Sequence, residues 1–260
     1  MQSQRFELKY LIPEGKALAI RDFVKCYLEV DEFGLGKPGL SYPVHSLYVD
    51  SDDLSLFQTA INGDKNRFKL RVRYYDDKPD SPVFFEIKRR VNNTISKQRG
   101  AVHRKAALVI LAGHFPESGH MVSKAPKHLA AVQRFCQHAQ ELRARPKVHV
   151  AYLREAWIHR DDNSVRVTLD RQVQCEPDPL AKMTTAMKNP VTVFGDEVVL
   201  ELKFTNRFPD WFRELARVFS LMQCGAAKYV DGVTLLGDRR MDLAAQAPRQ
   251  KSSFHDFSLD

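Results

Sequence analysis

Three separate segments of this 260-residue chain set a glutamate and a lysine two residues apart in the middle of an alternating apolar run. They are Glu7/Lys9 within Phe6–Ile12, Glu86/Lys88 within Val83–Arg90 and Glu201/Lys203 within Val198–Phe204. Two residues is the side-chain period of a β-strand, so each pair of charges shares one face while the apolar residues share the other. The habit recurs with cations alone: Lys69, Arg71 and Arg73 alternate with Leu70, Val72 and Tyr74, and Lys97 and Arg99 keep the same spacing. Val148, Val150 and Tyr152 lead to Arg154, and Arg166, Thr168 and Asp170 oppose Val165, Val167 and Leu169. One strand of this kind is an ordinary solvated outer face. Six with Arg and Glu at their centres predict a closed sheet with a charged lumen. Small barrels usually fill their interior with apolar side chains, so here the apolar faces must point outward, against helices.

The helices are legible between the strands. Pro13 starts one that runs to about Glu29 on the stripe Leu18, Ile20, Phe23, Val24 and Tyr27. Ser46–Asp50 reads as a strand, with Ser51 capping a short helix that Gly63 ends. A helix over 104–112 stops at Gly113, a helix of about twenty residues follows on Leu129, Val132, Phe135, Cys136, Ala139 and Leu142, and Pro209 opens another through Trp211, Leu215 and Phe219. The chain is expected to form one domain over 1–243, and the polar residues 244–260 to be disordered.

The longest apolar stretch, Ala106–Gly113, is far short of the roughly 20 residues a membrane helix needs. Met1–Arg5 leads into a strand pattern without the apolar run of a signal peptide, which predicts a cytoplasmic protein. The four cysteines are scattered, with no CxxC pair, and read as reduced thiols. GxxxxGK[ST], GxGxxG, HExxH and GxSxG are all absent from the sequence. Yet 40 Lys and Arg against 32 Asp and Glu leave a net charge of +8, which calls for a polyanionic partner. Any phosphate is therefore held by side-chain cations. At about 4 Å and an effective dielectric near 20, each cation attracts a phosphate by about 4 kcal/mol before desolvation. The interleaved glutamates would repel phosphate, and make sense as ligands of Mg²⁺ or Mn²⁺ or as partners that fix the lysines.

Phe6-Glu7-Leu8-Lys9-Tyr10, Ser46-Leu47-Tyr48-Val49-Asp50, Lys69-Leu70-Arg71-Val72-Arg73-Tyr74-Tyr75, Phe85-Glu86-Ile87-Lys88, Leu200-Glu201-Leu202-Lys203 and Ala227-Lys228-Tyr229 together resemble, in order, the VTC domain. That domain is the polyphosphate polymerase module of the vacuolar transporter chaperone complex, in the triphosphate tunnel metalloenzyme (CYTH-like) superfamily. The resemblance covers about residues 4 to 240. It implies an α+β fold with an eight-stranded antiparallel tunnel, and transfer of the ATP γ-phosphate to a growing polyphosphate chain with Mn²⁺ or Mg²⁺. By position it implies that Lys9, Arg71, Arg73, Lys88, Lys97, Arg154, Lys203 and Lys228 contact phosphates, with Lys88, Arg71, Arg73, Arg154 and Lys203 nearest the chemistry; Lys69, on the same strand face as Arg71 and Arg73, is a further phosphate-binding candidate. Glu201 would hold the metal, with Glu7 and Glu86 as further candidates. Arg166 joins the set by strand parity alone. The expected module lacks a preceding SPX-type domain and a following membrane segment.

Three functions compete. A polymerase would use the chain end as nucleophile, with ATP and polyphosphate as partners. An inorganic or organic triphosphatase would use water in the same tunnel. A polyphosphate- or RNA-binding module would turn nothing over. Tyr74 and Tyr75 amid basic residues suggest base stacking, but parity divides them between faces, so no specific nucleic-acid site is expected.

Overall fold

The computed structural model describes residues 5–92, 94–160 and 164–245. The chain opens with β1 (Arg5–Ile12), and Pro13, in extended conformation, caps α1 (Glu14–Val24). A short β2 (Glu29–Val30) precedes β3 (Ser41–Asp50) and α2 (Ser55–Ile61). β4 (Asn66–Tyr74), β5 (Val83–Val91) and β6 (Thr94–Val102) form a meander, followed by α3 (Arg104–Leu111) and α4 (Pro126–Glu141). Then come β7 (Arg145–Ile158), β8 (Val165–Pro177), a short β9 (Val191–Thr192), β10 (Val198–Thr205), α5 (Asp210–Val218) and α6 (Lys228–Ala245).

All the strands belong to one antiparallel sheet in the order β1-β10-β8-β7-β3-β4-β5-β6, with β2 added to β7 and β9 to β8. The eight long strands curl into the expected tunnel wall. β1 and β6 approach each other without sharing a ladder, so the wall has a seam closed by side chains: Lys88 Nζ on β5 lies 3.0 Å from Glu7 Oε2 on β1.

The outer face carries two apolar clusters. Leu70, Val72, Tyr74, Phe85 and Ile87 meet Ala107 and Ile110 of α3 and Val132 and Phe135 of α4. Leu200, Leu202, Val167 and Leu169 meet Ala17, Ile20 and Val24 of α1 and Phe212 and Leu215 of α5. Gly100 lets α4 approach β6 closely, since a Cβ there would fall 2.5 Å from the His128 carbonyl oxygen.

Several expectations need correcting. Not every apolar face points outward: Val148, Val150, Val173, Cys175 and Val199 face the lumen and pack on Tyr229, Val233 and Leu236 of α6. This helix, unforeseen in the sequence, fills one end of the tunnel on its β7–β8 side and lets those valines be buried. A Cβ on Gly232 would sit 2.8 Å from Cys175 Sγ, so glycine sets how closely α6 docks. The first helix stops at Val24, short of Glu29, because the chain turns at Cys26–Leu28 to pair β2 with β7. Asp50 shares the capping of α2 with Ser51: its carboxylate accepts the Leu56 and Phe57 N–H groups, each at 2.9 Å, while Ser51 Oγ accepts Ser55 N–H at 2.9 Å. Gly63 and Gly113 end their helices at positive φ, as expected. The expected disorder of 244–260 falls almost wholly outside the described residues; Ala244 and Ala245 complete α6.

Candidate active site

Strand parity brings the predicted site residues of the strands to the lumen face, around three carboxylate centres, and α6 adds Lys228. The first lies where β10 pairs with β1 and β8, which places Glu201 opposite Lys9 and Thr168 and sets Lys203 opposite Glu7 and Arg166. Glu201 is almost fully buried and contacts Lys203 Nζ, Lys228 Nζ at 3.0 Å, Arg154 Nη2 at 3.5 Å and Lys9 Nζ at 3.8 Å. Asp170, one register step away, receives a two-pronged bond from Arg154 at 2.7 and 2.6 Å and faces Lys228 Nζ at 2.7 Å. Lys228 reaches this point because it begins α6, whose next residue, Tyr229, donates to Asp50 Oδ2 at 2.6 Å.

The second centre is Glu86, which has no exposed surface. It holds Arg71 at 2.7 Å, Lys97 at 2.6 Å and Arg99 at 3.3 Å, one from β4 and two from β6. The third is Glu7, with Lys88 at 3.0 Å and Lys9 at 3.4 Å. Among the described residues Arg73 hydrogen-bonds the hydroxyls of Ser46 and Tyr152, the latter at 3.2 Å. Lys69 lies 5.6 Å from the Tyr229 ring centre and makes no ion pair among the described residues. Arg166 sits toward one mouth, 2.8 Å from Asp31 and 3.3 Å from Tyr42 Oη.

The cations of this lumen outnumber its carboxylates, and the electrostatics follow. Burial alone would raise the Glu201 carboxyl, but Lys203, Lys228, Lys9 and Arg154 outweigh it and hold the group ionised, well below the usual range. Glu86 is likewise driven down against burial by Arg71, Arg73 and Lys97, and Glu7 by Lys88 and Lys9. Some lysines bear the opposite strain. Burial, reinforced by Lys9 and Lys88, pushes Lys69 down to about 7. Burial also takes Lys97 to about 7 and Lys203 to about 8, despite their glutamate partners. Lys228 is driven upward, because Asp170 and Glu201 overcome its burial.

Sequence reasoning missed Asp170 and Arg99 as site members, although both share parity with residues that were chosen. It also missed the phenols of Tyr48 and Tyr152, which touch Arg71 and Arg73. Asp31 lies in an irregular segment that carries no periodic signal.

A divalent metal fits this donor set in one way. No group of three or more His, Cys, Asp or Glu side chains converges among the described residues. Glu201 and Glu7 do feel each other's charge across the β1–β10 ladder. One or two carboxylates completed by substrate phosphates and water are a common Mg²⁺ arrangement, whereas an all-protein cage is absent among the described residues.

The curated proteins give no sequence match to this chain. Among solved structures, a candidate adenylate cyclase from Bacillus halodurans is 14% identical, with 87% of this chain and 96% of that one covered at a TM-score of 0.47. The PH1819 protein from Pyrococcus horikoshii OT3 is 12% identical, covering 89% and 98%, and a candidate adenylate cyclase from Vibrio parahaemolyticus is 11% identical, also covering 89% and 98%; both have TM-scores of 0.44. The VTC domain model matches residues 4–237, nearly the whole described chain, and on that match this protein belongs to the VTC domain family.

Proposed function

We propose that this protein is an ATP-dependent polyphosphate polymerase, in which the γ-phosphate of ATP passes to the end of a polyphosphate chain held in the lumen. The observation that carries the reading is the length of the cation track. On β4 and β5 it runs from Arg73 past Arg71 and Glu86, then Lys69 and Lys88, to Arg67 and Arg90, which pair in register on the same face. The six residue steps from Arg67 to Arg73, at about 3.4 Å each, make a path of about 20 Å, longer than one triphosphate occupies. α6 packs its apolar residues on β7 and β8, and its Tyr229 lies 5.6 Å from Lys69 on the charged β4 side. A triphosphatase has no use for the outer part of the track.

Phosphoryl transfer needs positioning and charge neutralisation more than covalent help. Arg71, Arg73, Arg154, Lys88 and Lys203 surround the place where charge moves from donor to acceptor; Glu86, Asp170 and Glu201 already orient Arg71, Arg154 and Lys203, Glu7 orients Lys88, and the Ser46 and Tyr152 hydroxyls orient Arg73. Lys9, Lys69, Lys97, Arg166 and Lys228 bind the flanking phosphates. Glu201, supported by Glu7, would hold Mg²⁺ or Mn²⁺ on the phosphates, and that ion would supply Lewis-acid neutralisation of their oxygens. Glu201 and Glu86 are both buried under cations, but Glu7 and Asp170 lie within electrostatic reach of Glu201, whereas Glu86, held by Arg71, Lys97 and Arg99, is better placed to fix those cations than to bind metal. The partners are therefore ATP and inorganic polyphosphate, and no described helix is long and apolar enough to cross a membrane.

The test is to incubate the purified protein with ATP and Mn²⁺ and resolve the products on a gel. A polymerase gives a ladder of phosphate chains alongside ADP. ADP and orthophosphate without a ladder would establish the triphosphatase, and unconsumed ATP would leave a binding module.

A further inference from the structure

One mouth of the tunnel is built of rings. Tyr75 lies two residues beyond Arg73 on the lumen face, and Phe84 is the register partner of Arg73. Their ring centres are 5.9 Å apart at 72°. Tyr42, opposite Arg154 in the β3–β7 ladder, continues the arc 6.4 Å from Tyr75, and Phe33 extends it 5.8 Å from Tyr42. Cations edge these rings: the lumen Arg99 guanidinium lies 3.5 Å over Phe84, the lumen Arg166 donates to Tyr42 Oη at 3.3 Å, and Lys37 of the loop before β3 sits 5.7 Å over the Tyr42 ring.

Phe33 is the telling member. It is 59% exposed on a segment that is nonetheless firmly held. Asp31 beneath it takes Arg166 at 2.8 Å, accepts the Phe33 N–H at 3.0 Å and donates its own N–H to Ala156 at 2.8 Å. Gly34 is packed so closely that a Cβ would strike the Leu40 carbonyl oxygen at 2.5 Å. A bare aromatic ring on a fixed segment, joined to three more rings and edged by cations, offers nothing to a phosphate chain. It suits a ligand with a flat π-face on one side and a string of phosphates on the other.

We propose that this arc is a stacking platform for the base of a nucleoside triphosphate, whose phosphates run inward to Arg73, Arg154 and the cations beyond. The inference rests on the tunnel's being a triphosphate site, and adds where the nucleoside lies. Rings read the face of a base and not its edges, so the platform favours nucleotides over bare triphosphate without choosing among bases. Stacking of one base corresponds to about a five- to 150-fold gain in affinity.

The test measures binding of ATP, GTP and inorganic triphosphate in EDTA to the wild-type protein, Phe33→Ala and Tyr75→Ala. Phe33 is exposed and belongs to no core cluster, so its replacement leaves folding intact, which a thermal melt verifies. The expected result is that both variants lower the ratio of nucleotide to triphosphate affinity at least about fivefold. Triphosphate affinity itself should hold in Phe33→Ala, and ATP and GTP should stay within about tenfold of each other throughout. A ratio unchanged in both variants, with triphosphate still bound, overturns the platform and leaves the tunnel reading standing. A wild-type protein that binds neither triphosphate nor nucleotide overturns both.

Discussion

Replacing Glu201 by glutamine keeps the side-chain shape and removes one charge from a site where Lys203, Lys228, Arg154 and Lys9 converge. In the ligand-free protein those cations would be left facing only Asp170 and Glu7. Removing one partner of a buried ionic network costs about 3–5 kcal/mol. Lys203, already pushed down to about 8, can shed its proton and relieve part of that, so the lower figure applies at neutral pH and above. For a chain of this size 1 kcal/mol shifts the melting temperature by about 2–4 °C, which puts the variant about 10 °C below the wild type in metal-free buffer. Polyphosphate supplies the missing negative charge, so it should raise the melting temperature of Glu201→Gln by more than it raises that of the wild type. Turnover should fall steeply, with the Mn²⁺ midpoint moved to much higher concentration. Thermal unfolding followed by circular dichroism, with and without polyphosphate, and activity titrated with Mn²⁺ make the comparison. A variant that melts within 2 °C of the wild type (a limit of about 1 kcal/mol), or that gains no more from polyphosphate, would refute the charge argument. An unchanged Mn²⁺ midpoint would remove Glu201 as a metal ligand.

Lys88→Met replaces the ammonium at the seam by an apolar chain of similar length; turnover of ATP should drop about 100-fold while the melting temperature falls by only about 2–4 °C, because Glu7 keeps Lys9, and wild-type activity would remove Lys88 from the chemistry. Lys69, pushed down to about 7 by burial and by Lys9 and Lys88, binds its proton less firmly folded than unfolded. The unfolded chain therefore holds more protons between about pH 7 and 10, and the ligand-free protein should gain stability as pH rises through that window. Polyphosphate should recharge Lys69, so calorimetry near pH 7.5 in buffers of different ionisation heat should show proton uptake that Lys69→Met reduces; uptake identical in the variant contradicts the assignment. Gly100→Ala would press a methyl against the His128 carbonyl oxygen and Val132 of α4, and should cost about 1–3 kcal/mol in denaturant unfolding, whereas an unaffected midpoint would mean that α4 is free to move away.

The wall of the tunnel was legible because its charges alternate. Glu7/Lys9, Lys69/Arg71/Arg73, Glu86/Lys88 and Glu201/Lys203 each announce a strand and assign its faces, and the structure places every one of them on the lumen side. Parity cannot say which strand lies beside which. Nothing in Lys97-Gln98-Arg99 indicates that both cations fall on Glu86, because that pairing depends on the β5–β6 register. The first half of β3 stayed hidden since Pro43 interrupts its pattern; β4 pairs only with His45–Val49, so Pro43 lies where that ladder has ended. α6 was missed for a different reason. A helix inside a charged tunnel must be apolar on the side facing Val150 and Cys175 and cationic where Lys228 meets Asp170 and Glu201, and such a mixed face, broken by Gly232 and Gly237, has no simple helical signature. The aromatic mouth joins Phe33, Tyr42, Tyr75 and Phe84 from distant segments, and only the fold assembles it.

The most direct measurement follows the phosphorus itself. Phosphorus NMR of ATP incubated with the protein and Mn²⁺, quenched with EDTA at intervals, distinguishes γ-phosphate, orthophosphate and phosphate inside a chain. If the long cation track holds a growing chain, loss of the γ-phosphate signal should be matched by a rising internal-chain signal, with little orthophosphate. Loss matched by orthophosphate alone would contradict the polymerase account and assign the tunnel to hydrolysis.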